Sequence, residues 1–565
     1  MNKTCSPKLH SIISGLQVSA VLASALYFLA ACSPARESIP ETSTDIDGLM
    51  YCAEGNPETF NPQLVTSGTT LDITAAQLYD RLIEYNAEAQ DFEPSLATEW
   101  HVANDGLSYR FQLRNDVAFH TTDWFTPSRT LNAHDVAFTF QRWLNPEHPF
   151  HAVSNRGFPF FYAAGLSDLI ESVSAISSHE VEIRLRQQDS SFLANLASDF
   201  AIILSAEYGQ QLLAAGTPEL IDYQPIGTGP FQFAEFRKDV LVRYYRHPQY
   251  WRTLAASSQI VFRITQSDHK RMLMLLTQDC DISPFPPARD VGWLRQQPQI
   301  DLQDTISPNT GFWAFNTDRP PFDDPLVRQA LAHGINRNAI LSTVYFDHAV
   351  RADSILPNTS WAHHGTPSAY RYDPELAREL LREAGFPNGF TMQIWALPVQ
   401  RSYNPNARLM AERIQSDLAR IGVQANIVSY EWSTFRRRLA AGEHDSVLIG
   451  WSADHADPDN FFRPLLSCAA KASGNNRAQW CDPLFDELLS AAIASNDPKV
   501  RKIYYEQAQE HLAQEVPLVP IAHSIRFQAA RANIQGLVLE PYGGIQLRNA
   551  KRVHNAPTEQ QNEEE

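Results

Sequence analysis

The chain of 565 residues lacks the short signatures of the common hydrolases and nucleotide-dependent enzymes. No HExxH, GxSxG or Walker A pattern occurs in it, which argues against zinc-protease, α/β-hydrolase and P-loop chemistry. No Cys-x-x-Cys spacing is present among the 6 cysteines, so a zinc-binding reading of them is weak. A basic patch is missing too: 46 Lys and Arg stand against 64 Asp and Glu, for a net charge of −18, and nucleic acid is not the expected partner. Ser267-Asp268-His269-Lys270 fits the SxxK pattern of acyl-enzymes but has no Lys-Thr-Gly companion. A serine acyl-transferring hydrolase using Ser267 therefore stands only as an alternative. Gly227-Thr228-Gly229-Pro230 invites a phosphate-loop reading, but no Gly-Lys-Ser/Thr follows and Pro230 blocks a helix start; a tight turn feeding strand Phe231 to Phe236 is expected. His363-His364 could ligate a metal, yet adjacent side chains rarely face one ion, and a turn before Gly365 explains them better. No catalytic residue, metal site or cofactor is predicted. A large α/β chain without a catalytic signature suggests a binder, not an enzyme.

What is present begins with an export signal. Lys3 and Lys8 precede a mostly apolar run from Ile12 to Phe28, followed by Leu29-Ala30-Ala31-Cys32. The last four residues have the form of a bacterial lipobox, in which Cys32 would be thioether-linked to diacylglycerol. An ordinary secretory signal and an uncleaved anchor helix are the alternatives, and all three export the chain. Residues 1–31 are assigned to the signal and 32–47 to a flexible tether rich in Ser, Thr, Pro and Glu. The expected location is the periplasm of a Gram-negative envelope, as a membrane-anchored lipoprotein and a monomer. Cys5 leaves with the signal, and Cys52, Cys280, Cys468 and Cys481 remain, with three possible pairings in an oxidising compartment. Cys52 is paired with Cys280, and Cys468 with Cys481.

The chain is organised around Gly450 to Cys481. Ser446 to Trp451 reads as a short buried strand that breaks at once into an acidic loop with Asp454, Asp457 and Asp459. A carboxylate just past a buried strand lies at the mouth of the sheet, where α/β proteins place ligands. Trp451 can supply an aromatic wall and Asp454 a fixed negative charge; alternatively, all three aspartates are turn residues. The twelve residues between Cys468 and Cys481 suit a local disulfide, worth roughly 3 kcal/mol in the chain-entropy model.

Elsewhere the pattern alternates. A strand is expected at Leu49 to Cys52, and then a loop to about Asp72 in which Ser67-Gly68-Thr69-Thr70 offers hydroxyls and close backbone approach. A helix follows from Asp72 to Leu82. Tyr109, Phe111 and Leu113 fall on one face of a strand, and Asn132 caps a helix burying Val136, Phe138, Phe140 and Trp143. From Phe312 onward, strands alternate with helices opened by Asp324-Pro325 and Asp373-Pro374, the texture of an α/β domain. Val516 to Ala522, Phe527 to Ala529 and Leu537 to Leu539 are late strands, the last of them expected to return to the first domain.

Five stretches in order resemble a known family. Tyr51-Cys52 with Phe60-Asn61-Pro62, Leu107 to Phe111, Leu131 to Val136, Gly227 to Phe231 and Ala314-Phe315-Asn316 are similar to the peptide-binding solute receptors of bacterial ABC importers, the family 5 extracellular solute-binding proteins. The likeness runs from about residue 49 to 545. Thr121 to Pro127 and Phe462 to Cys468 look most like the Sap-type receptors, whereas Pro398 to Pro405 and Asp457 to Phe461 look like dipeptide receptors. The resemblance implies an α/β, two-lobed periplasmic-binding-protein fold. Its discontinuous first lobe would hold residues 48–306 and 525–553, with an extra β-rich subdomain at about 91–215. Residues 307–524 would form the second lobe, and 554–565 an acidic tail. It also implies the disulfide pairing chosen above, and a peptide ligand passed to an inner-membrane ABC permease. Asp454 would hold the ligand's ammonium and Arg401, before Tyr403-Asn404-Pro405, its carboxylate. Trp451, Tyr403 and the backbone of Ser67 to Thr70 would complete the walls. His455-Ala456 after Asp454 departs from the dipeptide receptors, and the Sap-like segments keep a haem or metal-complex carrier using His363, His364 or His455 as the alternative.

Overall fold

Strand Gly48–Ala53 is the first element of the computed structural model, which describes residues 48–154, 156–365 and 370–553. The signal at 1–31, Cys32, the tether at 32–47 and the acidic tail at 554–565 lie outside the described residues. Gly48–Ala53 pairs in parallel with Gln259–Ile264 and, at Tyr51, with Ile282–Pro284. Arg526–Arg531 lies antiparallel between Ile282–Pro284 and Ile300–Thr305. The hairpin Phe231–Arg237 with Leu241–Arg246 completes a seven-stranded sheet.

A second, six-stranded sheet runs in the order Ala349–Arg351, Leu518–Ser524, Asn309–Phe315, Ser446–Ser452, Thr391–Ala396, Gln424–Val428. Every residue of Asn309–Phe315 and of Leu518–Ser524 is buried, as expected of central strands covered on both faces. The parallel strands Thr391–Ala396 and Gln424–Val428 are joined by helix Ala407–Ala419, which Asn406 caps by accepting from the Leu409 N–H. Local capping chemistry sets the other helix starts: Asp324 and Asp373 each accept from a first-turn N–H, with Pro at the first helical position.

The chain crosses between the two sheets after Thr305 and again after Ser524. Asn309 fastens these crossings together. Its Nδ2 donates to the carbonyls of Ser307 and Ser524, both at 2.7 Å, and its Oδ1 accepts from the Ser524 hydroxyl at 3.0 Å. A separate four-stranded sheet, Ala97–Val102, Ser108–Leu113, Glu180–Leu185 and Ile170–Ser177, buries Tyr109, Phe111 and Leu113 on one face.

Disulfides join Cys52 to Cys280, Cα atoms 6.0 Å apart, and Cys468 to Cys481, 4.6 Å apart. The first closes a ring 228 residues long and the second one of 13. Chain entropy alone makes the first worth about 5 kcal/mol and the second about 3. Among the described residues no helix is long and apolar enough to cross a membrane.

Three expectations change. The first helix spans Gly68–Leu78, not Asp72 to Leu82, so Ser67 to Thr70 form its cap and first turn and not a loop. It stops early because the turn at Gly227 and Gly229 packs on its last carbonyl: a Cβ on Gly227 would lie 1.9 Å from the Leu78 oxygen, and the Gly229 N–H donates to that oxygen at 3.0 Å. Leu537 to Leu539 is not a strand; only Val538 makes an isolated bridge, to Gln546, and the Leu537 carbonyl accepts from Gln303. Phe138 is only half-buried, packed edge-on against His148 and Phe150. Ser267 is a helix cap: its Oγ accepts from the Lys270 N–H at 3.3 Å, which accounts for the Ser-x-x-Lys spacing.

Candidate functional site

The strand Ser446–Ser452 ends at Trp451, and the chain then turns through Asp454 into a short 3₁₀ turn, Pro458–Phe461. Asn460 organises this turn. Its Oδ1 accepts from the Trp451 indole at 2.9 Å and from the Asp454 N–H at 3.1 Å, while its Nδ2 donates to Asp454 Oδ2 at 3.1 Å. Trp451 and Asp454 are thus fixed to one another and line a cavity between the two sheets. The other aspartates of the loop point elsewhere. Asp457 accepts two bonds from Arg501 at 2.8 Å, and Asp459 holds Arg463 at 2.6 Å, with Asp189 on the far side of the same guanidinium at 3.0 Å.

Asp454 has no cationic partner among the described residues. Burial pushes its carboxyl up to about 8, opposed by the Asn460 hydrogen bond and reinforced by Asp199. Asp72, on the same cavity, is pushed up to about 7 by burial, with Arg526 opposing. Of the two carboxyls, Asp72 is thus within reach of a guanidinium's field and Asp454 is not.

Guanidiniums gather elsewhere on the cavity wall. Tyr403 marks the place: burial raises its phenol, and the guanidiniums of Arg401, Arg436 and Arg477 oppose that rise. Gly450 is required for the ring to lie there, because a Cβ would come within 2.4 Å of both Tyr403 Cδ2 and the Thr310 oxygen. Arg401 is buried and bridges the sheets. Its Nη1 donates to Glu54 Oε1 at 2.6 Å, its Nη2 to Thr69 Oγ1, and Thr69 in turn donates to Glu54 at 2.9 Å. The Trp432 and Phe285 rings flank the guanidinium, at 5.4 and 5.7 Å. Burial alone would raise the Glu54 carboxyl, but Arg401, with Arg271 behind it, holds it below the usual range.

Of the residues expected from the sequence, Asp454, Arg401, Trp451, Tyr403 and Gly68 share this cavity. Thr69 reaches it only through Arg401. Thr70 turns away, its Oγ1 accepting from the Glu58 N–H at 3.0 Å, and Ser67 is buried with no bond to the cavity side. The sequence reading missed Asp72, Asn460, Arg436, Arg477 and Arg526. Glu54 could have been found by the rule that picked out Asp454, since it too lies just past the end of a buried strand. The three histidines do not converge. His455 is buried, with Nδ1 accepting from the Asp457 N–H, while the His364 ring faces Glu506 and Glu510. Among the described residues no group of three or more His, Cys, Asp or Glu side chains could hold a metal.

The cavity measures about 100 Å³ and adjoins a second space of about 450 Å³, with Asp454, Gly543 and Gly544 lining both. Alone, the first is smaller than the roughly 300–1,000 Å³ of ordinary small-molecule sites. A ligand must therefore spread the walls or use both spaces.

Several known proteins are similar to this chain over most of its length. Residues 91–473 match the model of the bacterial extracellular solute-binding proteins, family 5. The chain is 43% identical to the dipeptide-binding protein of Escherichia coli K12 over 501 residues, 89% of this chain and 94% of that one. It is 41% identical to the peptide transport periplasmic protein SapA of Salmonella typhimurium LT2, over 94% of this chain and 97% of that protein. The crystal structure of a dipeptide-binding protein from Pseudoalteromonas sp. SM9913 in complex with Met-Leu superposes with a TM-score of 0.88 at 48% identity, covering 90% of this chain and all of that one.

Proposed function

The chain belongs to the bacterial extracellular solute-binding proteins of family 5, and from that premise we propose that it captures short peptides with free termini between two lobes. It then delivers them to an ABC-type permease of the inner membrane. One observation carries this reading: Asp454, a carboxylate without a counter-ion among the described residues, and a cluster of guanidiniums around Tyr403 share one cavity. A zwitterion brings an ammonium to the first and a carboxylate to the second, and a charge-assisted hydrogen bond at each terminus is the strong form of such contacts.

In this proposal Asp454 takes the ammonium, and Arg401 shares its fork between Glu54 and the ligand carboxylate. Trp451 and Tyr403 wall the peptide. The lobes are residues 48–306 with 525–553, and 307–524, built on the seven- and six-stranded sheets, and the subdomain at about 91–215 carries the four-stranded one. The Glu54–Arg401 bond spans the two lobes, so the closed form is held by a contact that sits against the ligand. Cys32 is the proposed lipid attachment point, which would keep the receptor at the membrane as a monomer. No chemical step is assigned to it; it works by binding.

Calorimetric titration of a dipeptide with free, acetylated, amidated and doubly blocked termini tests the reading. Asp454→Ala should cost about 2–5 kcal/mol with free-amine peptides and little with acetylated ones. Arg401→Ala should discriminate carboxylate from amide in the same way. Equal losses for blocked and free peptides would place the ligand elsewhere.

A further inference from the structure

Arg401 and Arg477 line the same cavity but differ in company. Arg477 lies in the loop closed by the Cys468–Cys481 disulfide, just past Gly474, whose φ of 74° turns the chain back. It is only 7% exposed. Its guanidinium donates to the Gly474 carbonyl and to Asn475 Oδ1, both neutral. No carboxylate within ion-pair reach of it exists among the described residues, whereas Arg401 has Glu54 at 2.6 Å.

The nearest strong charge is another cation. Arg436 donates to Thr66 Oγ1 at 2.8 Å and stands 3.9 Å from Glu58, which Arg156 also holds at 3.3 Å. Burial first, and Arg436 second, push Arg477 down to about 9. Two guanidiniums in one cleft wall, with a single carboxylate that Arg436 already shares with Arg156, are an unfavourable arrangement for an empty protein. A buried charge is tolerated when something pairs with it. Arg477 lines the cavity, so a ligand held there can bring its counter-ion.

We propose that Arg477, with Arg436 behind it, is a specificity residue that binds a second negative group on the ligand: the acidic side chain of a C-terminal Asp or Glu. This rests on the peptide reading above and goes beyond it. A zwitterion with a neutral side chain satisfies Arg401 and Asp454 and leaves Arg477 uncompensated. An acidic side chain next to the peptide carboxylate is the group that the Arg401, Tyr403 and Arg477 cluster can reach together. The 0.1 M-scale salt of a buffer competes poorly there, since buried pairs are screened far less than exposed ones.

The experiment compares Ala-Glu with Ala-Gln, and Glu-Ala with Gln-Ala, by calorimetry on the wild-type chain, Arg477→Gln and Arg477→Lys. Wild-type protein should bind Ala-Glu about tenfold or more tightly than Ala-Gln, with a much smaller ratio for the reversed pair. Arg477→Gln should bring the first ratio near one, and Arg477→Lys should keep part of it. The readout is a ratio, so a general loosening of the loop in a variant cancels. A wild-type ratio near one, or a ratio that survives in Arg477→Gln, overturns the assignment while leaving the receptor reading intact. Failure of all four peptides to bind wild-type protein overturns both. If Arg477→Gln does not fold, the wild-type and Arg477→Lys ratios still decide.

Discussion

Asp454 and the pair Asp457 and Asp459 sit within six residues of one loop and differ in the partners that the fold gives them. Asp457 and Asp459 are tied to Arg501 and Arg463, and through Arg463 to Asp189 in the segment that follows the four-stranded sheet. Asp454 meets only the Asn460 amide. All three are aspartates that follow the same strand. The difference is in the counter-ions: Arg463 stands four residues from Asp459, and Arg501 comes from 44 residues beyond Asp457. A carboxylate that the fold neutralises supports the loop, and one that it leaves unneutralised is available to a ligand.

The sharpest way to break this comparison is at the structural side. Arg463 bonds Asp459, Asp189 and the Ser191 hydroxyl, and its side chain is 11% exposed against 3% for Asp459 and none for Asp189. Removing it strands two buried carboxylates. Arg463→Ala should lower stability by about 3–5 kcal/mol, read from denaturant unfolding. A loss under about 1 kcal/mol, the size usual for surface pairs, would mean that the loop aspartates are not the structural set.

A smaller effect is expected where the two roles meet. Asn460 binds Asp454 and Trp451 at once, so it positions the ligand wall without being the charge. Asn460→Ala should weaken a free-amine dipeptide by about 1–2 kcal/mol, the range of one or two hydrogen bonds, and the acetylated peptide by visibly less. Equal weakening of both would assign Asn460 to the fold of the loop alone.

Much of the frame was legible because its causes are local. Asn132, Asp324 and Asp373 cap helices by bonding N–H groups two or three residues on, and period-two burial at Tyr109, Phe111 and Leu113 follows from strand geometry. The strand ending at Trp451 could be read from its apolar run. The first helix was misplaced because its stop depends on the turn at Gly227 and Gly229, some 150 residues later, packing on the Leu78 carbonyl. The Glu54–Arg401 bond joins residues 347 apart, and no window of sequence displays it. Arg477 was missed for the opposite reason: what distinguishes it is a partner that it does not have. Such an absence becomes visible only when all the neighbours are in place.

The last test separates Asp454 from its neighbours by pH, without any ligand. Its carboxyl titrates at about 8 in the folded chain against an ordinary value of 3.8. Between those values the folded state carries a proton that the unfolded chain has lost, so stability falls as pH rises across this window. The favourable contribution is complete below pH 3.8 and gone above about 8. Asp454→Asn has nothing to ionise. The variant should therefore match the wild type near pH 4 and exceed it near pH 8.5 by on the order of 1–2 kcal/mol, because the side chain keeps part of its solvent contact. Asp72, raised to about 7, and Asp459, raised to about 6, fall in the same window but are present in both proteins and cancel in the difference. Chemical denaturation at four pH values between 4 and 8.5 measures it. A free-amine dipeptide should then reverse the order at pH 7, since an ammonium stabilises the ionised carboxylate and gives the Asn variant nothing. A stability difference that stays flat with pH would show that Asp454 ionises in the folded chain as readily as in the unfolded one, and its standing as the loop carboxylate left for a ligand would fail.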